Sequence, residues 1–175
     1  MTALAKYRIV PGSSRVWVDA KSSLHAIMAD GDGLEGYVDI EPDGSGAVDC
    51  SRPTAGQLSF PVARLSTGKG LEDREMQRLV NTRRYPTIEG SMASMAAADG
   101  NGSYRVAGDI TFRGATQRVE DQMKVDFVDD RTVRLTGQSR FDIRDYGMQP
   151  PKILMMRVEP FVDVRVEIVA EKEVS

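Results

Sequence analysis

The strongest constraint on this chain is an alternation of apolar and polar residues at period two. It recurs in segment after segment, separated by short turns of Gly, Asn and Asp. Residues 104–119 read YRVAGDITFRGATQRV. Tyr104, Val106, Gly108, Ile110 and Phe112 share one parity, while Arg105, Ala107, Asp109, Thr111 and Arg113 share the other. Side chains of a strand point to opposite faces in turn, so this pattern is a strand with one dry and one wet face. Asn101-Gly102 ahead of it supplies the positive-φ residues of a hairpin turn, and the run from Thr87 to Ala98 is the strand before that turn. Gly114-Ala115 begins a second turn. Val119, Met123, Val125 and Phe127 then mark another strand, with an irregularity near Asp121.

The same reading extends to both ends. After the turn at Asp129-Asp130-Arg131, the residues Val133, Leu135, Gly137, Ser139, Phe141 and Ile143 share a face. Val162, Val164, Val166 and Ile168 alternate with charges near the C-terminus. Arg15 to Met28 reads as one long strand, Gly33 to Ile40 follows a DGDG turn, and Gln57 to Leu65 carries Leu58, Phe60 and Val62 on one side. One short helix is expected near residues 71–83, where Met76, Leu79, Val80 and Arg83 form a stripe and Pro86 stops continuation. About eight long antiparallel strands in one meander predict an all-β barrel or sandwich, as a single domain over residues 1–175.

Composition and motifs exclude several functions. A net charge of −3 and no basic run argue against a nucleic-acid surface. No window approaches the roughly 18 apolar residues of a membrane helix. MTALAKYRIV lacks a secretory apolar core, so a cytoplasmic chain is expected, or a periplasmic or secreted one whose signal was trimmed. One cysteine, Cys50, permits no internal disulfide, and with one histidine, His25, it cannot build a standard zinc site; no metal and no cofactor are expected. Asp30, Asp32 and Asp43 miss the calcium-loop order because Leu34 holds a ligand place, and turn chemistry explains them. Ser66-Thr67-Gly68-Lys69-Gly70 lacks the spacing of a phosphate loop and reads as the approach to the helix. Gly108 to Gly114 lies between strands, where a dinucleotide loop would open a helix. Ser23 and His25 fall on one face, but no orienting acid can be assigned to them.

The interior remains. Small residues stand among large ones at the inward parity: Gly90 and Ser94 with Ile88 and Met92, Gly108 with Ile110 and Phe112, Gly137 and Ser139 with Leu135 and Phe141. Two readings are open. Such residues leave a lumen in a closed barrel, or they mark bulges and bends in the strands.

Several segments, in order, carry a family resemblance. They are Tyr7-Arg8-Ile9-Val10-Pro11, Arg84-Tyr85-Pro86-Thr87-Ile88, Gly108-Asp109-Ile110-Thr111-Phe112-Arg113-Gly114-Ala115-Thr116 and Phe141-Asp142-Ile143-Arg144-Asp145-Tyr146-Gly147-Met148. From about Tyr7 to Val169 the chain resembles the YceI-like family of polyisoprenoid-binding, lipocalin-like proteins. The resemblance implies an extended antiparallel barrel that encloses an amphiphilic lipid (a polyisoprenoid, an isoprenoid quinone or a fatty-acid derivative) and performs no catalysis. Phe60, Met92, Ile110, Phe112 and Met123 are the expected lining, with Phe141 and Ile143. Tyr146 and Met148 are placed at the mouth. The partners expected are a long-chain lipid and a second copy in a homodimer. The alternatives are a solid-barrel oligomeric stress or scaffold protein, and an esterase using His25.

Overall fold

The computed structural model describes residues 6–173. The chain enters as β1 (Lys6–Ile9) and β2 (Arg15–Ser22), two halves of one stave interrupted by a 3-10 turn at Pro11–Ser13. β3 (Ile27–Gly31) and β4 (Glu35–Asp39) form the next stave in the same broken way. β5 (Ala55–Pro61), the helix α1 (Gly70–Val80), β6 (Thr87–Gly100), β7 (Ser103–Phe112), β8 (Ala115–Phe127) and β9 (Thr132–Asp142) follow. Short β10 (Lys152–Ile153) turns into the long final strand β11 (Met156–Lys172). The order is β1-β4-β5-β6-β7-β8-β9-β11, and β11 pairs back onto β1 and β2. An eight-stave antiparallel barrel is thereby closed, with no free edge at that seam.

Three elements differ from the pattern reading. The stretch Gln57 to Leu65 is not one strand, since β5 ends at Pro61 and a 3-10 turn follows at Val62–Arg64. Arg15 to Met28 is a hairpin rather than one strand. Ser22 Oγ accepts the N–H groups of Leu24 and His25 at 3.3 and 3.1 Å and folds the chain back. Val18 then faces Ala29, and Ala20 faces Ile27. The helix ends at Val80 rather than near residue 83. Asn81 adopts φ 62° and its N–H bonds Arg78 O at 3.2 Å, a left-handed C-terminal stop. The glycine-lysine loop before α1 does serve as its approach: Asp73 accepts Thr67 N–H at 2.8 Å and the Ser66 hydroxyl at 2.7 Å.

The outer face is set by cross-strand pairs. Arg118 meets Asp109 at 3.2 Å, Arg140 meets Asp163 at 3.0 Å, and Arg165 lies 4.4 Å from the Trp17 ring centre. The opposite parity forms the core. One end of the barrel is solidly packed by Tyr7, Ile9, Ile40, Val48, Val133 and Ala170. There the buried Tyr104 hydroxyl accepts Val48 N–H at 2.8 Å and ties down the long 40–54 loop. Across the other end lies α1. Its Met76 and Leu79 pack against the cluster of Ile27, Ile153, Met156 and Val158 on one side and that of Val62, Val80 and Met148 on the other, where Phe112 also packs.

The β6–β7 ladder slips between Met92 and Ser94. The extra residue inverts parity, so Met95 is buried and Ser94 turns outward, contrary to the expected inward Ser94. Gly108 lies opposite Met92 at this bulge. A Cβ on Gly108 would stand 2.1 Å from Ser91 O. Its missing side chain therefore admits the bulged backbone of β6, and the bend reading holds for this glycine. Gly90 and Gly137 differ. Their vacant positions are met by side chains, Leu58 and Ile110 at 3.1–3.2 Å and Met123 at 3.1 Å.

Candidate functional site

The polar candidates do not assemble. His25 sits in the β2–β3 turn with Nδ1 2.8 Å from Ala26 O and Nε2 3.7 Å from Glu72. Ser23 Oγ instead accepts Arg157 N–H at 3.0 Å, so no bond joins Ser23 to His25. Glu72 is the acid that sequence order could not assign, since it comes from α1. Asp30 and Asp32 are neutralised by Arg15 and Arg64, and the Arg64 hydrogen bond holds the Asp32 carboxyl below its ordinary range. Among the described residues, no group of three or more His, Cys, Asp or Glu side chains could hold a metal. No helix there is long and apolar enough to cross a membrane.

The inward wall between the packed end and α1 is different in kind. Val18, Leu58, Met92, Val106, Met123 and Val166 face inward, yet each remains partly exposed rather than fully buried. Surface left on inward side chains is surface that water reaches from within the barrel, through its mouth or through a gap in its wall. The wall is almost wholly apolar and rich in methionine, whose flexible thioether repacks at low cost. The room left by Gly90 and Gly137 is already taken by neighbours, so the lumen is narrow as it stands.

The nine expected lining residues separate into three groups. Met92, Ile110, Met123 and Phe141 lie on the partly exposed inward wall. Phe60 is 3% exposed and belongs to the packed core. Phe112, Ile143, Tyr146 and Met148 gather beneath α1. Tyr146 packs between Phe112 and Phe141, with ring centres 6.0 and 6.4 Å away, and Met148 touches Val62 and Val80. Ile143 is off the strand on which alternation placed it. β9 stops at Asp142, whose carboxylate accepts Arg144 N–H at 3.0 Å and starts a 3-10 turn over Ile143–Tyr146. Burial, with Asp145 nearby, pushes the Tyr146 hydroxyl pKa up. This end is thus a hydrophobic plug under a helical lid.

The irregularity near Asp121 is legible in the sequence, but its place in the wall is not. Asp121 shares the inward parity with Met123 and Val125. Its neighbour Glu120 points outward to Arg105 at 3.5 Å, which fixes Asp121 on the other face. The signal available in the sequence was a lone acid at an apolar parity.

The YceI-like domain model matches residues 7–170. Among solved structures, BcnA of Burkholderia cenocepacia superposes with a TM-score of 0.77 at 16% identity, covering 93% of this chain and 99% of that one. A polyisoprenoid binding domain from Saccharophagus degradans, implicated in plant cell wall breakdown, gives 0.77 at 14% identity over 95% and 98% of the two chains. The Campylobacter jejuni YceI protein gives 0.67 at 12% identity over 85% and 86%. No curated protein matches the sequence significantly. At such identities the structural likeness is one of fold. The family match covers almost every described residue of the barrel, and the chain therefore belongs to the YceI-like family.

Proposed function

We propose that the barrel binds the apolar chain of an amphiphilic lipid and shields it from water, without catalysing a reaction on it. The class is a polyisoprenoid, an isoprenoid quinone or a fatty-acid derivative. The observation that carries this reading is the band of apolar side chains at inward parity that are packed against the core yet not fully buried. The polyisoprenoid-binding relative with the same fold supports it. Met92, Ile110, Met123 and Phe141 are assigned to the chain, and Tyr146 and Met148 to the plug that must move aside. Energetically the site suffices. Ten buried methylenes at ~0.8 kcal/mol each give ~8 kcal/mol before ordering costs, enough for micromolar binding. The separation of Ser23 from His25 gives the esterase alternative no support.

Native mass spectrometry of gently purified protein, with lipid extraction, tests the proposal. A co-purifying long-chain lipid, or saturable displacement of a lumenal dye by a long-chain alcohol, is expected. Protein that carries no lipid and binds no dye would overturn it and leave a solid barrel.

A further inference from the structure

The barrel wall is incomplete at one place. β8 and β9 pair only from Met123↔Gly137 to Phe127↔Val133. Past that point β8 stays on β7 as far as Ala115, and β9 stays on β11 as far as Asp142. The two strands thus part over residues 118–122 and 138–142. At 3.3 Å per residue that is about 15 Å of wall without a backbone ladder. Gln117 Nε2 donates to Asp145 O at 2.9 Å and rejoins the two sides at the far end. The gap is a bounded slot in the side of the barrel.

The polar groups of the lumen lie on its lips. Asp121 and Ser139 would face each other had the ladder continued by two more residues. Both carry inward parity and are partly exposed, and neither has a hydrogen-bond or ion-pair partner among the described residues. On the strands that flank the slot, from Tyr104 to Phe112, Ala115 to Phe127, Val133 to Phe141 and Val162 to Ala170, Asp121 is the one charged side chain at inward parity; the inward-parity Lys172 pairs with Tyr7 at the packed end of the barrel. A phosphate or carboxylate head would therefore meet repulsion and no counter-charge. A donor head would meet a free carboxylate and a hydroxyl.

We propose that the slot between β8 and β9 is a head-group site, in which Asp121 and Ser139 accept hydrogen bonds from the ammonium or hydroxyl head of an amphiphile whose chain lies in the lumen. This rests on the lumenal reading above. The arrangement assigns the ligand to a cationic or neutral class rather than a phosphorylated one.

The test is competition against a lumenal fluorescent dye by dodecylamine, dodecanol and dodecyl phosphate, each below its micelle concentration. The expected order is dodecylamine, then dodecanol, then dodecyl phosphate. Asp121→Asn should cut the amine-to-phosphate preference at least about tenfold, the worth of a charge-assisted hydrogen bond, while dodecanol competes as before. Asp121→Lys should reverse the preference. Glu120→Gln removes the same charge from the outer face and should leave the order alone. Chains that compete without a head preference, or an equal shift in Asp121→Asn and Glu120→Gln, overturn the head-group site and leave the lumen intact. Failure of all three chains to compete overturns the lumenal reading itself, and this proposal with it.

Discussion

Replacing Gly108 separates a bent wall from an open cavity. Its φ permits alanine, so any cost arises from the neighbour and not from local backbone strain. The new Cβ would stand 2.1 Å from Ser91 O, 3.1 Å from Ser91 C and 3.2 Å from Met92 Cα. The oxygen is roughly 1 Å inside the closest approach that hard-sphere sterics allow. All three atoms belong to strand backbone, so relief requires β6 and β7 to separate at the bulge. Overpacking of this kind costs about 2–3 kcal/mol. Gly137→Ala is the control. The nearest neighbours of its Cβ are Met123 side-chain atoms at 3.1 and 3.2 Å, which can rotate away, so its cost should stay below about 1 kcal/mol. With a urea slope of about 2.5 kcal/mol/M, Gly108→Ala should lower the unfolding midpoint by about 1 M, and Gly137→Ala by less than about 0.4 M. The slope should not change. If Gly108→Ala unfolds at the wild-type midpoint and instead loses dye binding, Gly108 opens a cavity and the bend account is wrong.

Other outcomes are equally specific. Tyr104→Phe leaves the buried Val48 N–H without its acceptor. It should cost about 1–3 kcal/mol, with hydrogen exchange quickening first in residues 40–54; uniform protection would refute that assignment. Tyr146→Ala removes the ring between Phe112 and Phe141 and should cost about 3–5 kcal/mol. It should also speed lumenal dye exchange in stopped-flow experiments, and unchanged exchange would show that the plug does not gate the mouth. Stability against pH should be bell-shaped. Hydrogen bonds from Arg144 and Arg140 hold Asp142 and Asp163 below the ordinary carboxylate range. Their contribution is complete above about pH 4 and disappears as pH falls through the lowered folded values. Burial raises the pKa values of Tyr7 and Tyr146, so the stability from these protonated phenols is lost as pH rises above about 10. A stability profile still rising below pH 4 would contradict the ion-pair assignments.

Period-two alternation is legible because strand geometry couples each residue's parity to a face without reference to distant contacts. The outward ladder of Asp109 with Arg118 and the inward run Tyr104, Val106, Ile110 and Phe112 follow from that alone. Parity counting fails wherever a residue is inserted or the strand stops. It carried Ser94 inward past the bulge at residues 92–94, and it carried Ile143 along a strand that Asp142 had ended. It also merged β2 with β3, because the serine hydroxyl that turns the chain at residue 22 carries no periodic signal.

The sequence by itself therefore determined the strand content, the single helix with its inward stripe, and an apolar interior lacking phosphate-loop and metal-site spacing. Only the tertiary structure decided what that interior does. Whether a glycine makes space depends on what the neighbouring strand places against it: a carbonyl at Gly108, and movable side chains at Gly90 and Gly137. Glu72 beside His25, Tyr146 between two phenylalanines, and Asp121 at the parting of β8 and β9 all arise from segments far apart in the chain or from where a ladder ends. These are properties of barrel closure. No local rule of alternation contains them, because closure depends on how much wall each strand pairs and where its neighbour leaves it.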